Sequence, residues 1–197
     1  MEQLTSIIIG AGQCGLAMSR HLSACSVDHL ILERGEVANS WRTERWDALR
    51  LLTPNWMGGL PDAPYRGPDP DGFMSMPEVI ARLSDYARDT HAPVRSGVTV
   101  HRVAPLGDGY VVETDHGPLA CRNVVMATGA CNLPSVPACA QDVPCGVQML
   151  TPFDYKRPAD LPDGRVLVVG GSATGVQLAR EIQLSGRQVV LSVGEHV

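Results

Sequence analysis

Ser6-Ile7-Ile8-Ile9-Gly10-Ala11-Gly12-Gln13-Cys14-Gly15 decides how the first part of this chain folds. The β-branched run that ends at Ile9, stopped by glycine, reads as a buried parallel strand. Cys14 to Ala24 sets Leu16, Ala17 and Leu22 among polar neighbours, which suits a short helix, and His29-Leu30-Ile31-Leu32 returns as a second strand. Ser6 to Glu33 therefore reads as one β-α-β unit. A full G-x-G-x-x-G stands between its first strand and its helix, and Glu33 follows 18 residues after the last glycine.

Each part of that pattern has a task in holding a dinucleotide. Gly10 permits a tight turn, Gly12 lets the backbone approach a pyrophosphate, and Gly15 lets the helix pack against the strand. Gln13 and Cys14 open the helix, whose free N–H groups and positive dipole end suit phosphate. Glu33, at the end of the second strand and followed by Arg34, can accept from both ribose hydroxyls. Its charge disfavours a 2'-phosphate, which speaks against NADP at this first site.

A second turn, Gly170-Gly171-Ser172-Ala173-Thr174-Gly175, follows the strand Val166 to Val169 and opens a helix from Ala173 to Ser185. Ser172 replaces the middle glycine with the smallest polar side chain, whose hydroxyl can donate to a phosphate oxygen. Where the first unit has Glu33, the strand Gln188 to Val193 ends in Ser192 and Val193. With no acid at that point, NADPH is tolerated at least as well as NADH. Only β-α-β exists after residue 164, so this second nucleotide domain is expected to be incomplete.

The segment between the two units is less regular. Arg34 to Phe73 interleaves Trp41, Trp46 and Trp56 with prolines and reads as a long structured loop. Met76-Pro77-Glu78 opens a helix that ends near Thr90. Val98 to Val103, Tyr110 to Thr114 and Leu119 to Cys121 alternate as an antiparallel meander, and Val124 to Ala127 is read as a further buried strand ending at Thr128-Gly129. Leu133 to Pro162, with six prolines, reads as linker. The expected class is α/β: a Rossmann-like domain with a small antiparallel meander over residues 1–135, a linker over 136–163, and an incomplete second Rossmann-like domain over 164–197.

The bulk properties narrow the function. Lys plus Arg number 16 against 21 Asp plus Glu, and no basic stretch carries interleaved aromatics, so nucleic acid is not an expected partner. No apolar run approaches the roughly 20 residues that span a bilayer. The first residues carry an acid and run into a strand, the wrong order for a secretory signal, so a cytoplasmic protein is expected. The six cysteines, at 14, 25, 121, 131, 139 and 145, include no C-x-x-C or C-x4-C pair, and no metal is expected.

Two nucleotide turns flanking Val124-Val125-Met126-Ala127-Thr128-Gly129-Ala130 resemble the two-dinucleotide-binding flavoproteins, whose "ATG" segment lies near the flavin. Asn39-Ser40-Trp41-Arg42, Arg45-Trp46-Asp47 and Leu51-Leu52-Thr53-Pro54-Asn55-Trp56 are similar to the bacterial branch of the flavin-containing monooxygenases. The resemblance runs from Thr5 to Val197 and covers the first half of such a protein. It implies FAD on Gly10, Gly12, Gly15, Glu33, Trp41 and Arg42, a backbone contact to adenine near Val100, and NADPH on Gly170, Ser172, Thr174 and Gly175. It also sets Ala127, Thr128 and Gly129 near the flavin and makes Asn55 a catalytic candidate beside its N5.

By the same resemblance, the implied activity is hydride transfer from NADPH to the flavin, then oxygenation of a small-molecule substrate. Three departures stand against it: Ser172; the stretch Pro144 to Thr151, which lacks the histidine of the family's F-x-G-x-x-x-H fingerprint; and the length. The alternative is a truncated, non-catalytic FAD-binding fragment of such an enzyme.

Overall fold

The computed structural model describes residues 3–130 and 132–195. The chain divides into two compact units, one of residues 1–43 and 50–132, the other of 44–49 and 133–197.

The first unit is built on a six-stranded sheet in the order β3-β2-β1-β6-β5-β4. Strands β1 (Gln3–Ile9), β2 (His29–Glu33) and β3 (Val94–Ser96) are parallel, and β6 (Gly117–Met126) lies parallel to β1 on its other side. Strands β4 (Val100–Leu106) and β5 (Gly109–Thr114) complete an antiparallel meander with β6. Helix α1 (Gln13–Ala24) connects β1 to β2, α2 (Asn39–Thr43) follows β2, and α3 (Met76–Asp89) precedes β3.

Both faces of β1 are covered, which is why the strand ends in a continuous apolar run, Ile7 to Ile9, rather than an alternating one. Ile8 enters a core with Leu16, Ile31, Val79, Leu83 and Tyr86. Ile7 and Ile9 enter a second core on the opposite face with Leu32, Val98, Val112 and Leu119. Each fully buried aliphatic side chain of this kind contributes about 1.5–3 kcal/mol. Helix α3 begins with a capping box: Ser75 donates from its N–H and its hydroxyl to Glu78, at 2.7 and 2.6 Å. These two bonds hold the Glu78 carboxyl below its ordinary range.

Four elements differ from the sequence reading. The runs at Leu119 to Cys121 and Val124 to Ala127 are parts of one ten-residue strand, β6. Its first half pairs with β5, while β1 pairs along it from Ala120 to Met126. The polar pair Arg122-Asn123 breaks the apolar pattern without breaking the ladder, and Asn123 Nδ2 donates to the Thr5 carbonyl at 3.1 Å. Strand β3 forms on the open edge of β2 from only three residues. Helix α2 and a 3₁₀ turn at Asn55–Gly58 lie inside the stretch read as loop.

In the second unit, β7 (Val166–Val169), α4 (Ala173–Leu184) and β8 (Val189–Ser192) form a parallel β-α-β. Residues 44–49 pack here: Asp47 N donates to the Lys156 carbonyl at 2.9 Å, and Lys156 Nζ donates to the Arg45 carbonyl at 3.0 Å. Trp46 and Tyr155 are buried. Burial raises the Tyr155 phenol well above its usual value, and the negative charge of Glu181 on α4 adds to the rise. Among the described residues no helix is long and apolar enough to cross a membrane, and no cluster of His, Cys, Asp or Glu could hold a metal ion. Cys131 lies outside the described residues.

Candidate functional site

The first glycine turn sits at the carboxyl ends of β1, β2 and β6, where an open α/β sheet presents a crevice. Gly10 has φ +107°, and a Cβ there would overlap the Ala127 carbonyl. A Cβ on Gly15 would overlap the Gly10 carbonyl, so this glycine sets the approach of helix to strand. Gly12 is different: its φ of −87° is open to any residue, and a Cβ would meet nothing within 4 Å. No protein atom demands glycine there, and the freedom faces the space in front of the turn. Gln13 and Cys14 are exposed at the start of α1, where the first-turn N–H groups have no acceptor within the helix.

Glu33 is 7% exposed and closes the site from β2. Its Oε2 accepts from Ala11 N at 2.8 Å and its Oε1 from Gly35 N at 3.1 Å. Each oxygen keeps one lone pair for a further donor. Ala38, in the left-handed region at φ +64°, donates to the Ala11 carbonyl at 3.1 Å and brings the chain after β2 onto the turn. On the β6 side, Ala127 N donates to the Ile9 carbonyl at 2.9 Å, Thr128 is exposed, and Gly129 has φ +80°. The structure thus brings Gly10, Gly12, Gln13, Cys14, Gly15, Glu33 and Ala127 together, with Thr128 and Gly129 continuing from Ala127.

Other expected residues have separate surroundings. Arg42 donates from Nε to the Val37 carbonyl and from Nη2 to Ser84 Oγ, both at 2.9 Å, so it ties α2 to α3. Trp41 is half-buried against the first core, and Arg34 is exposed just past Glu33. Val100 begins β4 opposite Thr114. The backbone group that touches Glu33 from this direction is Val98, whose N–H donates to the Glu33 carbonyl at 2.9 Å. Asn55 is 7% exposed, and its Nδ2 donates to the Asp69 carbonyl at 2.8 Å. The partners missed from the sequence, Ala11, Gly35, Ala38 and Val98, act through backbone atoms, and their residue types carry no signal of that use.

The second turn repeats the backbone of the first. Gly170 has φ +117°, and a Cβ on Gly175 would overlap the Gly170 carbonyl. Ser172 caps α4 at φ −78°, and its hydroxyl makes no capping bond. Thr174 lies in the first turn of α4. Gly170 N donates to the Ser192 carbonyl, as Gly10 N does to Leu32, so Val193 holds the place of Glu33.

The sequence pattern of the pyridine nucleotide-disulphide oxidoreductase family matches residues 7–197. The chain belongs to this family. An uncharacterized CzcO-like oxidoreductase of Geobacillus kaustophilus is 33% identical over 189 residues, covering 95% of this chain and 53% of the relative. The indole-3-pyruvate monooxygenase YUCCA1 of Oryza sativa subsp. japonica is 31% identical over 186 residues, covering 90% and 44%. The solved structure of a flavin-containing monooxygenase from Stenotrophomonas maltophilia matches with a TM-score of 0.83 at 25% identity, over 100% of this chain and 59% of that one. The chain spans about half the length of the curated relatives it matches.

Proposed function

We propose that this protein works as an FAD-dependent oxidoreductase of monooxygenase type, reduced by NADPH and acting on a small-molecule substrate. The observation that carries the reading is the first turn: its place at the strand ends, open space over Gly12, and a buried Glu33 with a lone pair free on each oxygen. The α1 N-terminus receives the pyrophosphate and Glu33 the ribose hydroxyls. Ala127 to Gly129 flank the turn on the side towards the flavin ring, and the family resemblance adds Trp41 and Arg42 as further FAD contacts from outside the turn. When bound, the flavin supplies the hydride acceptor and the oxygen chemistry, and the protein supplies orientation.

The second turn is assigned to NADPH, with Gly170, Ser172, Thr174 and Gly175 around the phosphates and Val193 in the place of an acid. A disulfide reductase reading, which the family description includes, finds no C-x-x-C or C-x4-C pair in the 197 residues. The relatives named as monooxygenases support the oxygenase reading instead.

The test is a titration of the protein with FAD, followed by flavin fluorescence. Saturable binding that weakens about 10- to 100-fold in Glu33→Gln supports the proposal, since the amide puts a second donor where N–H groups need an acceptor. Absence of saturable FAD binding by the unaltered chain refutes it.

A further inference from the structure

Four large apolar side chains of the first unit, Leu52, Trp56, Met57 and Phe73, are between 47% and 62% exposed. The backbone gathers them on one side of a paired segment. Arg50 and Ser75 face each other in antiparallel register, Leu51 N donates to the Met74 carbonyl at 2.9 Å, and Leu52 and Phe73 follow as the next opposed pair. Side chains alternate along such a pair, so Leu51 and Met74 enter the first core while Leu52 and Phe73 stay outside it. Asn55 N donates to the Gly72 carbonyl and Trp56 N to the Pro70 carbonyl, at 2.9 and 3.0 Å, which ties the 3₁₀ turn to the same segment. Asn55 is buried there, and Trp56 and Met57 are exposed next to it.

The topology places this wall. Helix α3 leads by a short connection into β3, which is parallel to β2, so α3 runs against the strands and begins at their carboxyl ends. Ser75 caps α3. The paired segment that ends on Ser75 therefore stands at the edge of the sheet that carries the first glycine turn, and Ala11 of that turn belongs to the core that Leu51 and Met74 enter. Exposed apolar residues scattered singly are ordinary, but a group of them marks a contact surface. A protein partner takes about 20–30 residues a side, whereas a small molecule needs only a few apolar and aromatic side chains. None of the four carries a charge, so an ionic group laid against them would lose water and gain no partner.

We infer that Leu52, Trp56, Met57 and Phe73 form the wall against which the substrate rests, and that the part of the substrate held there is an uncharged aromatic or alkyl group. Trp56 and Phe73 offer rings, and Met57 a polarizable sulfur, to an aromatic group. The inference rests on the proposed function, which sets the flavin at this same edge of the sheet. It adds the class of substrate and the residues that hold it.

The test titrates 4-fluoroanisole into the FAD-loaded chain while its ¹⁹F resonance and the flavin absorption are followed together. The expected result is a saturable ¹⁹F shift and a flavin difference spectrum with the same midpoint. 4-Fluorobenzoate, similar in size but charged, should bind at least about tenfold more weakly, as should 4-fluoroanisole to the double variant Trp56→Ser, Phe73→Ser. Both replaced side chains are exposed, so the variant should keep the Tm and the FAD affinity of the unaltered protein. No saturable shift, a shift without a flavin response, or full affinity in the folded variant would each overturn the inference. If the variant does not fold, the two compounds on the unaltered protein decide, and equal affinity overturns it. A chain that takes up no FAD fails earlier, in the FAD titration, and removes the proposed function together with this inference.

Discussion

Gly10 and Gly170 occupy the same place in two β-α-β units, with φ of +107° and +117°, and each donates its N–H to the strand carbonyl beside it, Leu32 or Ser192. Around this shared backbone the two turns part. A Cβ on Gly10 would strike the Ala127 carbonyl, while one on Gly170 would meet nothing within 4 Å. Ala11 N is held by Glu33 Oε2. In the second turn a Cβ on Gly171, the counterpart of Ala11, would lie 2.7 Å from Val193 Cγ1. The shape of such a turn is therefore a local property of glycine and strand pairing. On the proposed function, what the turn selects follows from the residue at the end of the second strand.

The largest effect that can break this comparison is a methyl group at the first glycine of each turn. Gly10→Ala combines a backbone clash with an unfavourable φ and should cost about 3 kcal/mol or more, whereas Gly170→Ala carries the strain alone, about 1–2 kcal/mol. Denaturant unfolding of the two variants measures the difference, and equal losses would contradict the unequal packing. Next in size is Val193→Glu, which gives the second turn the acid of the first. On the proposed function NADPH affinity should fall about tenfold relative to NADH, through repulsion of the 2'-phosphate. Fluorescence titration with the two coenzymes reads the ratio, and an unchanged ratio would detach Val193 from the ribose.

The smallest effect concerns α4. Burial raises the Glu181 carboxyl above its ordinary value of 4.5, so the folded unit holds this proton longer than the unfolded chain does. Stability is then lost as pH rises through and beyond that value. Glu181→Gln should raise the Tm at neutral pH and match the unaltered protein below pH 4.5. A Tm difference that ignores pH would remove burial of the charge as its cause.

Both β-α-β units were legible because strand, glycine turn and helix each leave a local signature, and α3 was legible from Pro77 and Glu78 beside its first turn. The continuity of β6 was not, since Arg122 and Asn123 look like a boundary and only pairing with β1 shows otherwise. Helix α2 and strand β3 are too short for any periodicity. At the site, the glycines and Glu33 could be named from spacing. Contacts made through backbone atoms, as from Ala11, Gly35 and Val98, depend on which strands become neighbours. The ties of Arg42 to Val37 and Ser84 depend likewise on the docking of α3.

The central claim is that the turn from Gly10 to Gly15 is shaped for a ligand and not only for packing. Gly12→Ala tests it most directly, because the structure offers the new methyl open space and an ordinary φ. The variant should unfold at the same denaturant midpoint, within about 0.5 kcal/mol, while its FAD affinity falls at least about tenfold as the methyl meets the pyrophosphate. Unchanged FAD affinity in Gly12→Ala would contradict the account.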